Sequence, residues 1–414
     1  MTPAARLQMA IEILEGLGQT AQPFDRFLRD WFRSRRFAGS KDRRAIAERV
    51  FAIARRHAHL AHRMASSDPR ALAIASLLEE GADIEALFSG GYGPVPLTDE
   101  ERAMIAATPQ PEPDWVKGEY PLWLEEELCR AFGERLAEEM AALQERAPVD
   151  LRVNTLKAER AEVLAALKAE GFAAAPTPYS PWGVRIPPGE GSAALARSAL
   201  FESGAFEFQD EAAQLASLLA CAKPGMRVLD LAAGAGGKAL AMAAAMNDQG
   251  TILAFDDNAA RLSPLAERAR RAGARCITLA EKRGGPLWGD GKFDLVFLDA
   301  PCSGSGTWRR QPELRWRLTP QRLVELNRIQ DGLLDDAARH TAAGGRLLYA
   351  TCSLLPSENQ DRVAAFLSRN PGFAAADLRN GWSGKPVPGL GTDFRATPQA
   401  TGTDGFYCAA LYRS

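Results

Sequence analysis

The sequence predicts an α/β fold: a parallel-sheet domain in the C-terminal half, preceded by a small α+β module and an all-helical N-terminal domain. Three observations carry this. From about residue 223, apolar runs of strand length alternate with helical patterns, the signature of a parallel sheet with crossover helices. Residues 1 to about 140 show helical periodicity throughout, rich in Ala, Leu, Arg and Glu. Around Pro148 the texture changes to short strands and Pro-rich turns that run to about residue 210. The boundaries are therefore expected at 1–145, 146–222 and 223–414, and 414 residues are too many for one ordinary domain.

In the first segment, Phe24, Phe27, Leu28, Trp31 and Phe32 fall at helical spacing. Ser40 is the expected N-cap of a helix opening at Lys41, and residues 90–94 (Gly-Gly-Tyr-Gly-Pro) form a loop. In the module, Leu151-Arg152-Val153-Asn154 reads as a strand and 158–170 as a helix ending at Gly171. In the last domain, strands are expected at 227–231, 251–255, 276–279, 293–298 and 346–350, with a closing strand over 406–412.

Hydrophobic residues make up 46% and charged residues 25%, the balance of a soluble globular protein. No signal peptide and no run of about 18 apolar residues is visible, so no membrane span is expected. The six cysteines form no CxxC pair, which favours reduced thiols and a cytoplasmic location. The net charge of −2 hides an uneven distribution: residues 1–65 carry +7, residues 66–150 carry −13 and the remainder +4. A basic first segment can attract phosphate although the total is near zero, or it can be a solvated helix face. His57, His59 and His62 lie on one helix without nearby cysteines, so no metal site is expected.

Ligands of open α/β sheets bind beyond the carboxyl ends of the strands. Four of the expected strands end on chemically loaded residues: Asp230 with a glycine turn, Asp256, Asp299 and Cys352. The turn Ala232-Ala233-Gly234-Ala235-Gly236-Gly237-Lys238 allows close backbone approach to a ligand, and the helix after it offers free N–H groups. Asp256 is placed to hydrogen-bond a ribose diol, the alternative being a cap for the next helix. Together these features indicate an adenosine-bearing cofactor. Without a GxGxxG or Walker pattern, S-adenosyl-L-methionine is favoured over NAD or ATP.

Two thiols, Cys302 in Asp299-Ala300-Pro301-Cys302 and Cys352 in Thr351-Cys352-Ser353, sit at the mouths of neighbouring strands. Ser357 and Gln360 suggest a capped helix close to Cys352, which would raise its thiolate fraction. Such a pair suits methylation of cytosine C5. That carbon is a poor nucleophile until a thiolate adds to C6, and Asp299 is the candidate to contact N3 and N4 of the ring. Trp308, Arg309, Arg310, Arg315, Trp316 and Arg317 could stack bases and hold phosphates, or the tryptophans could bury against the sheet. Asp335 and Asp336 read as helix surface.

At these residues the chain resembles the Sun-type RNA cytosine-C5 methyltransferases, the RsmB-like family of bacteria. The resemblance covers nearly the whole chain. It is strongest over 299–306, 308–316, 344–353 and Asp404-Gly405-Phe406-Tyr407. Tyr120-Pro121-Leu122-Trp123, Leu151-Arg152-Val153-Asn154 and Phe208-Gln209-Asp210-Glu211 look like its upstream signatures. The resemblance implies a Rossmann-like methyltransferase domain and a NusB-like RNA-binding domain at 1–145. It implies Cys352 as nucleophile, Cys302 as the aid to product release, and residues 232–238, Asp256, Asp299 and Arg261 around the cofactor. Lys238 then faces the active site. The expected partner is ribosomal RNA, probed by a monomer that unstacks its target base.

Two departures touch the cofactor. The family's turn reads Cys-Ala-Ala-Pro-Gly-Gly-Lys, of which only the Gly-Gly-Lys core and Ala233 persist, and Ala280 stands where the family places an Asp near the adenine, with Glu281 a possible substitute. Two other readings remain open at this level: a non-catalytic RNA-binding assembly factor on the same fold, and a methyltransferase of a non-RNA substrate.

Overall fold

The computed structural model describes residues 1–20, 22–189 and 192–414. They form two units, Met1–Glu145 with Trp308–Arg317, and Arg146–Thr307 with Leu318–Ser414. Among the described residues no helix is long and apolar enough to cross a membrane.

The first unit is helical, and its helices include Pro3–Gly18, Phe24–Arg33, Ser40–Arg55, His57–Met64 and Pro69–Glu79. Leu7, Ile11, Ile53, Leu60 and Leu72 make one apolar cluster, and Ile13, Phe24, Leu28, Trp31 and Val50 another. Ser40 is the first helical residue rather than the cap, which is Gly39 with no side-chain bond. The three histidines go to separate partners: His57 stacks on Trp316 at 4.8 Å, His59 pairs with Glu79 and Glu112, and His62 meets Gln110 O at 3.4 Å.

The segment Trp308–Arg317, for which base stacking and burial of the tryptophans against the sheet were both open, belongs to this helical unit. Trp308 and Arg315 are fully buried, with the guanidinium 5.1 Å from the indole ring centre. Arg315 donates to Glu119 O at 2.9 Å, and Glu119 accepts from Ala58 N and His59 N at 2.8 and 3.0 Å, in the first turn of the His57 helix. Burial pushes the Glu119 carboxyl up to about 7. Trp308 and Arg315 are thus interior groups and offer no surface to RNA.

The second unit holds two sheets. Strands β1 (Val149–Val153), β2 (Ala175–Pro176), β3 (Gly183–Ile186) and β4 (Phe206–Phe208) form an antiparallel sheet in the order β2-β3-β1-β4, covered by the helix Arg160–Ala169. The larger sheet contains β5 (Arg227–Asp230), β6 (Thr251–Ala254), β7 (Ile277–Leu279), β8 (Phe293–Asp299), β9 (Thr341–Thr351), β10 (Phe373–Ala376), β11 (Phe394–Ala396) and β12 (Phe406–Arg413). Its order is β10-β12-β9-β8-β5-β6-β7, with β11 on β12. The pairs from β9 to β7 are parallel, and those involving β12 are antiparallel. Central strands are buried on both faces, from Leu295 to Leu298 and from Leu347 to Ala350, as crossover helices require.

The expected strands are present to within a few residues, whereas β9 begins five residues earlier than read and β10 and β11 were not read at all. Asp336 is not helix surface. It is buried, accepts from Arg339 at 2.7 Å and from Arg283, and hydrogen bonds from these and His340 hold its carboxyl well below the usual range despite burial.

Asn154 ties the small sheet to the crossover layer of the large one. Its amide donates to Gly204 O at 2.9 Å and to Ala272 O at 2.8 Å, and all of it is buried. Asn154→Ala leaves two interior carbonyls without donors, so a loss of about 2–4 kcal/mol is expected, read as a lowered urea midpoint at unchanged slope.

Candidate active site

Register gathers the site. Asp230 lies opposite Ala254 on one side and Phe297 on the other, and Asp299 lies opposite Ala350. The carboxyl ends of β5, β6, β8 and β9 therefore open on one edge, with turn 232–238, Asp256, Asp299 and Cys352 along it.

In the turn, Gly234 and Gly236 have φ of +53° and +81°, and a Cβ on Gly236 would lie 2.1 Å from Leu265. Only glycine fits there. Ala232 is half-buried and Ala233 buried. The helix Gly237–Ala245 starts directly after. Asp256 accepts from Gly234 N through one oxygen and from Asn258 N through the other, both at 2.9 Å. Asn258, not Asp256, caps the helix Ala259–Leu262. Each Asp256 oxygen keeps a lone pair for a ribose hydroxyl. Arg261 is more exposed, 3.7 Å from Asp256.

Two arginines hold the turn from behind. Arg152, fully buried, donates to Gly237 O and to Gln209 Oε1, each at 2.6 Å, and Arg268 donates to Ala235 O at 2.5 Å while pairing with buried Glu207. The turn thus keeps a fixed shape although Ala235 replaces the family's proline, and its glycines, helix start and ordered carboxylate fit an adenosine-bearing methyl donor. Ala280 is buried with its N–H bonded to Ala254 O, and Glu281 is exposed.

Cys302 and Cys352 meet with sulfurs 3.4 Å apart. The hydrogen bond to Cys352, then burial, holds the Cys302 thiol well above its ordinary value, so it keeps its proton at neutral pH. The expected helix start beside Cys352 is corrected: a 3-10 turn at Pro356–Glu358 comes first, the helix runs Gln360–Arg369, and its cap residue is Asn359 rather than Ser357. Lys238 pairs with Asp299, and both side chains retain about a fifth of their exposure. Burial opposes the Lys238 charge, but Asp299 and then Cys352 hold its pKa above the ordinary value. Asp230, fully buried beneath them, is pushed up to about 7 by burial and then by the Asp299 charge.

Reading residue by residue missed the polar layer under the thiols. Glu358 is fully buried and accepts from Ser303 N, Ser303 Oγ, Ser353 Oγ and Gln330 Nε2. Asn359 accepts from Thr351 Oγ1 and donates to Ser353 O. A signal exists, since Glu358-Asn359 follows Cys352 closely in a polar run, but Ser357 and Gln360 in that run equally suggest a helix cap. The upstream signatures also acquire partners here: Arg152 and Gln209 at the turn, and Asp210 accepting from Asp404 N at 3.1 Å.

A Rossmann-like sheet with a glycine turn at its first strand and two thiols beyond the next two is the layout of a methyltransferase domain. The family described as 16S rRNA methyltransferase RsmB/F matches residues 216–412, and the RsmF/B-like ferredoxin-like domain matches 120–189. Ribosomal RNA small subunit methyltransferase B of Pseudomonas syringae pv. tomato is 34% identical over 72% of this chain, which spans 66% of that relative's length. The same-named protein of Sodalis glossinidius is 31% identical over 77% of this chain and 71% of its own. The crystal structure of PH0851 superposes with a TM-score of 0.80 at 27% identity, covering 100% of this chain and 99% of the other. The chain belongs to the RsmB/F methyltransferase family.

Asp230 makes stability pH-dependent. Its folded pKa of about 7 lies above the unfolded value, so its contribution is full below about pH 4 and is lost as pH rises through about 7. Between about pH 5 and 8 the denaturation midpoint of the wild type is expected to fall more steeply than that of Asp230→Asn.

Proposed function

We propose that this chain is an S-adenosyl-L-methionine-dependent methyltransferase of small-subunit ribosomal RNA, acting on carbon 5 of cytosine with Cys352 as the nucleophile. The observation that carries the reading is the pair of sulfurs 3.4 Å apart at adjacent strand ends, beside the Lys238–Asp299 pair. The names of the relatives support ribosomal RNA as substrate. The helical unit 1–145 is read as the NusB-like RNA-binding part, its basic first segment meeting phosphate.

The chemistry follows from the side chains. The Cys352 thiolate adds to C6, the C6–S bond forms, and the electron pair of the C5–C6 double bond makes C5 nucleophilic. Asp299 accepts from the exocyclic N4 amino group and orients the ring. Residues 232–238, Asp256 and Arg261 would hold S-adenosyl-L-methionine, which when bound would supply C5 with an electrophilic methyl group as its S–CH3 bond breaks and the neutral thioether leaves. A base then removes the C5 proton, the double bond re-forms and the Cys352 sulfur departs. Cys302 carries its proton beside that sulfur and aids the departure.

The test is methyl transfer from labelled donor to small-subunit ribosomal RNA made without this protein. Wild type is expected to yield 5-methylcytosine at one position and Cys352→Ala none, a fall of at least about 10³-fold. Cys302→Ala is expected to accumulate a covalent RNA adduct on denaturing gels. An adduct formed by Cys352→Ala and absent from Cys302→Ala would reverse the two roles.

A further inference from the structure

We infer that Glu358 is a positioning residue that sets the separation of the two thiols through the serines beside them. The inference rests on the assignment of Cys302 and Cys352 made above, and adds to it a group that touches neither substrate nor sulfur. Cys302 and Cys352 lie on loops from different strands, and each is followed by a serine, Ser303 and Ser353. One Glu358 oxygen accepts from both serine hydroxyls, while the other accepts from Ser303 N at 2.8 Å and Gln330 Nε2 at 3.1 Å. Gln330 also donates to Pro301 O at 3.0 Å, so the chain on the far side of Cys302 is held as well.

A carboxylate is the one side chain that can take four donors from two loops at once. An amide of the same shape has one acceptor oxygen and presents an NH₂ to two hydroxyls that already donate. Because Glu358 is fully buried, water cannot make up the lost bonds. Replacing it should let the loops separate while leaving the cofactor turn, which Arg152, Arg268 and Asp256 hold, in place.

The experiment uses the full chain as Glu358→Gln and as the double variant Ser303→Ala/Ser353→Ala, with a monoarsenical oxide as probe of thiol separation. The arsenical condenses with two neighbouring thiols, forming two As–S bonds and releasing water, and no electron is transferred. Cys302→Ala supplies the one-thiol baseline. Both variants are expected to bind the arsenical at least about tenfold more weakly than wild type and to lose at least about tenfold in kcat. Affinity for S-adenosyl-L-methionine should stay within about twofold, since its residues are held separately. If Glu358→Gln does not fold, the double variant decides. Arsenical affinity within twofold of wild type in a folded variant overturns the inference, as does wild-type affinity no better than the one-thiol baseline. Should wild type methylate no RNA, the reaction assigned above falls, while the arsenical arm still decides whether Glu358 sets the thiol pair.

Discussion

The parallel register of β8 on β9 is the constraint on which the site depends. Asp299 lies level with Ala350, and Ala300 N bonds to Ala350 O at 2.8 Å, so the two chains leave the sheet in step. Three residues beyond Asp299 comes Cys302, and two beyond Ala350 comes Cys352. A slip of one residue would turn every side chain on one strand to the opposite face. Both faces of Leu295–Leu298 and Leu347–Ala350 are packed, so a slip would exchange their two sets of close-packed neighbours.

Register sets where the loops start, not where they end. Beyond the last ladder bond, backbone contacts continue the alignment: Gly306 N bonds to Cys352 O at 3.0 Å and Gly405 N to Gly306 O at 2.8 Å. The close approach of Gly306 and Gly405 leaves no room for a Cβ on either. Below them lies the buried layer of Ser303, Ser305, Ser353, Glu358 and Asn359. A fully paired interior carboxylate adds little net stability against an apolar alternative, but breaking its set of partners is expensive. Such a layer specifies one loop geometry rather than a larger ΔG of folding.

What was legible in the sequence divides along the same line. Strand ends were legible because a doubly buried strand is a continuous apolar run that stops abruptly, as at Asp299 or Thr351. The glycine turn was legible because positive φ demands the residue type. The polar layer was not, since Glu358 and Ser303 are 55 residues apart and neither differs locally from an exposed residue. β10 was missed for another reason: Phe-Ala-Ala-Ala has no alternation and gains its strand from pairing with β12. Asp336 was misread because its partner Arg283 lies 53 residues away.

The segment Trp308–Arg317 shows how far such partnerships extend. By sequence it continues the Cys302 loop, and its mixture of arginine and tryptophan reads as a nucleic-acid surface. Physically it completes the helical unit. Arg315 fills a site among Glu119, Leu143 and the Trp308 ring, reached across 196 and 172 residues of chain for its two carbonyl partners. Glu313 accepts from Phe24 N at 3.2 Å, and Arg317 donates to Gln22 O at 2.8 Å and to Leu17 O at 3.1 Å. A guanidinium is tolerated in that interior because backbone carbonyls meet it, although burial still lowers its pKa to about 10. The helical unit thus includes a segment made long after the residues of its two apolar clusters, and the closure entropy of that long loop is opposed by the seating of Arg315 and Trp308. Residues 1–145 on their own would leave the carbonyls of Glu119 and Leu143 without the Arg315 donor and His57 without the Trp316 ring. The helical unit is thus completed by a stretch that lies, in sequence, between two stretches of the cysteine-bearing unit.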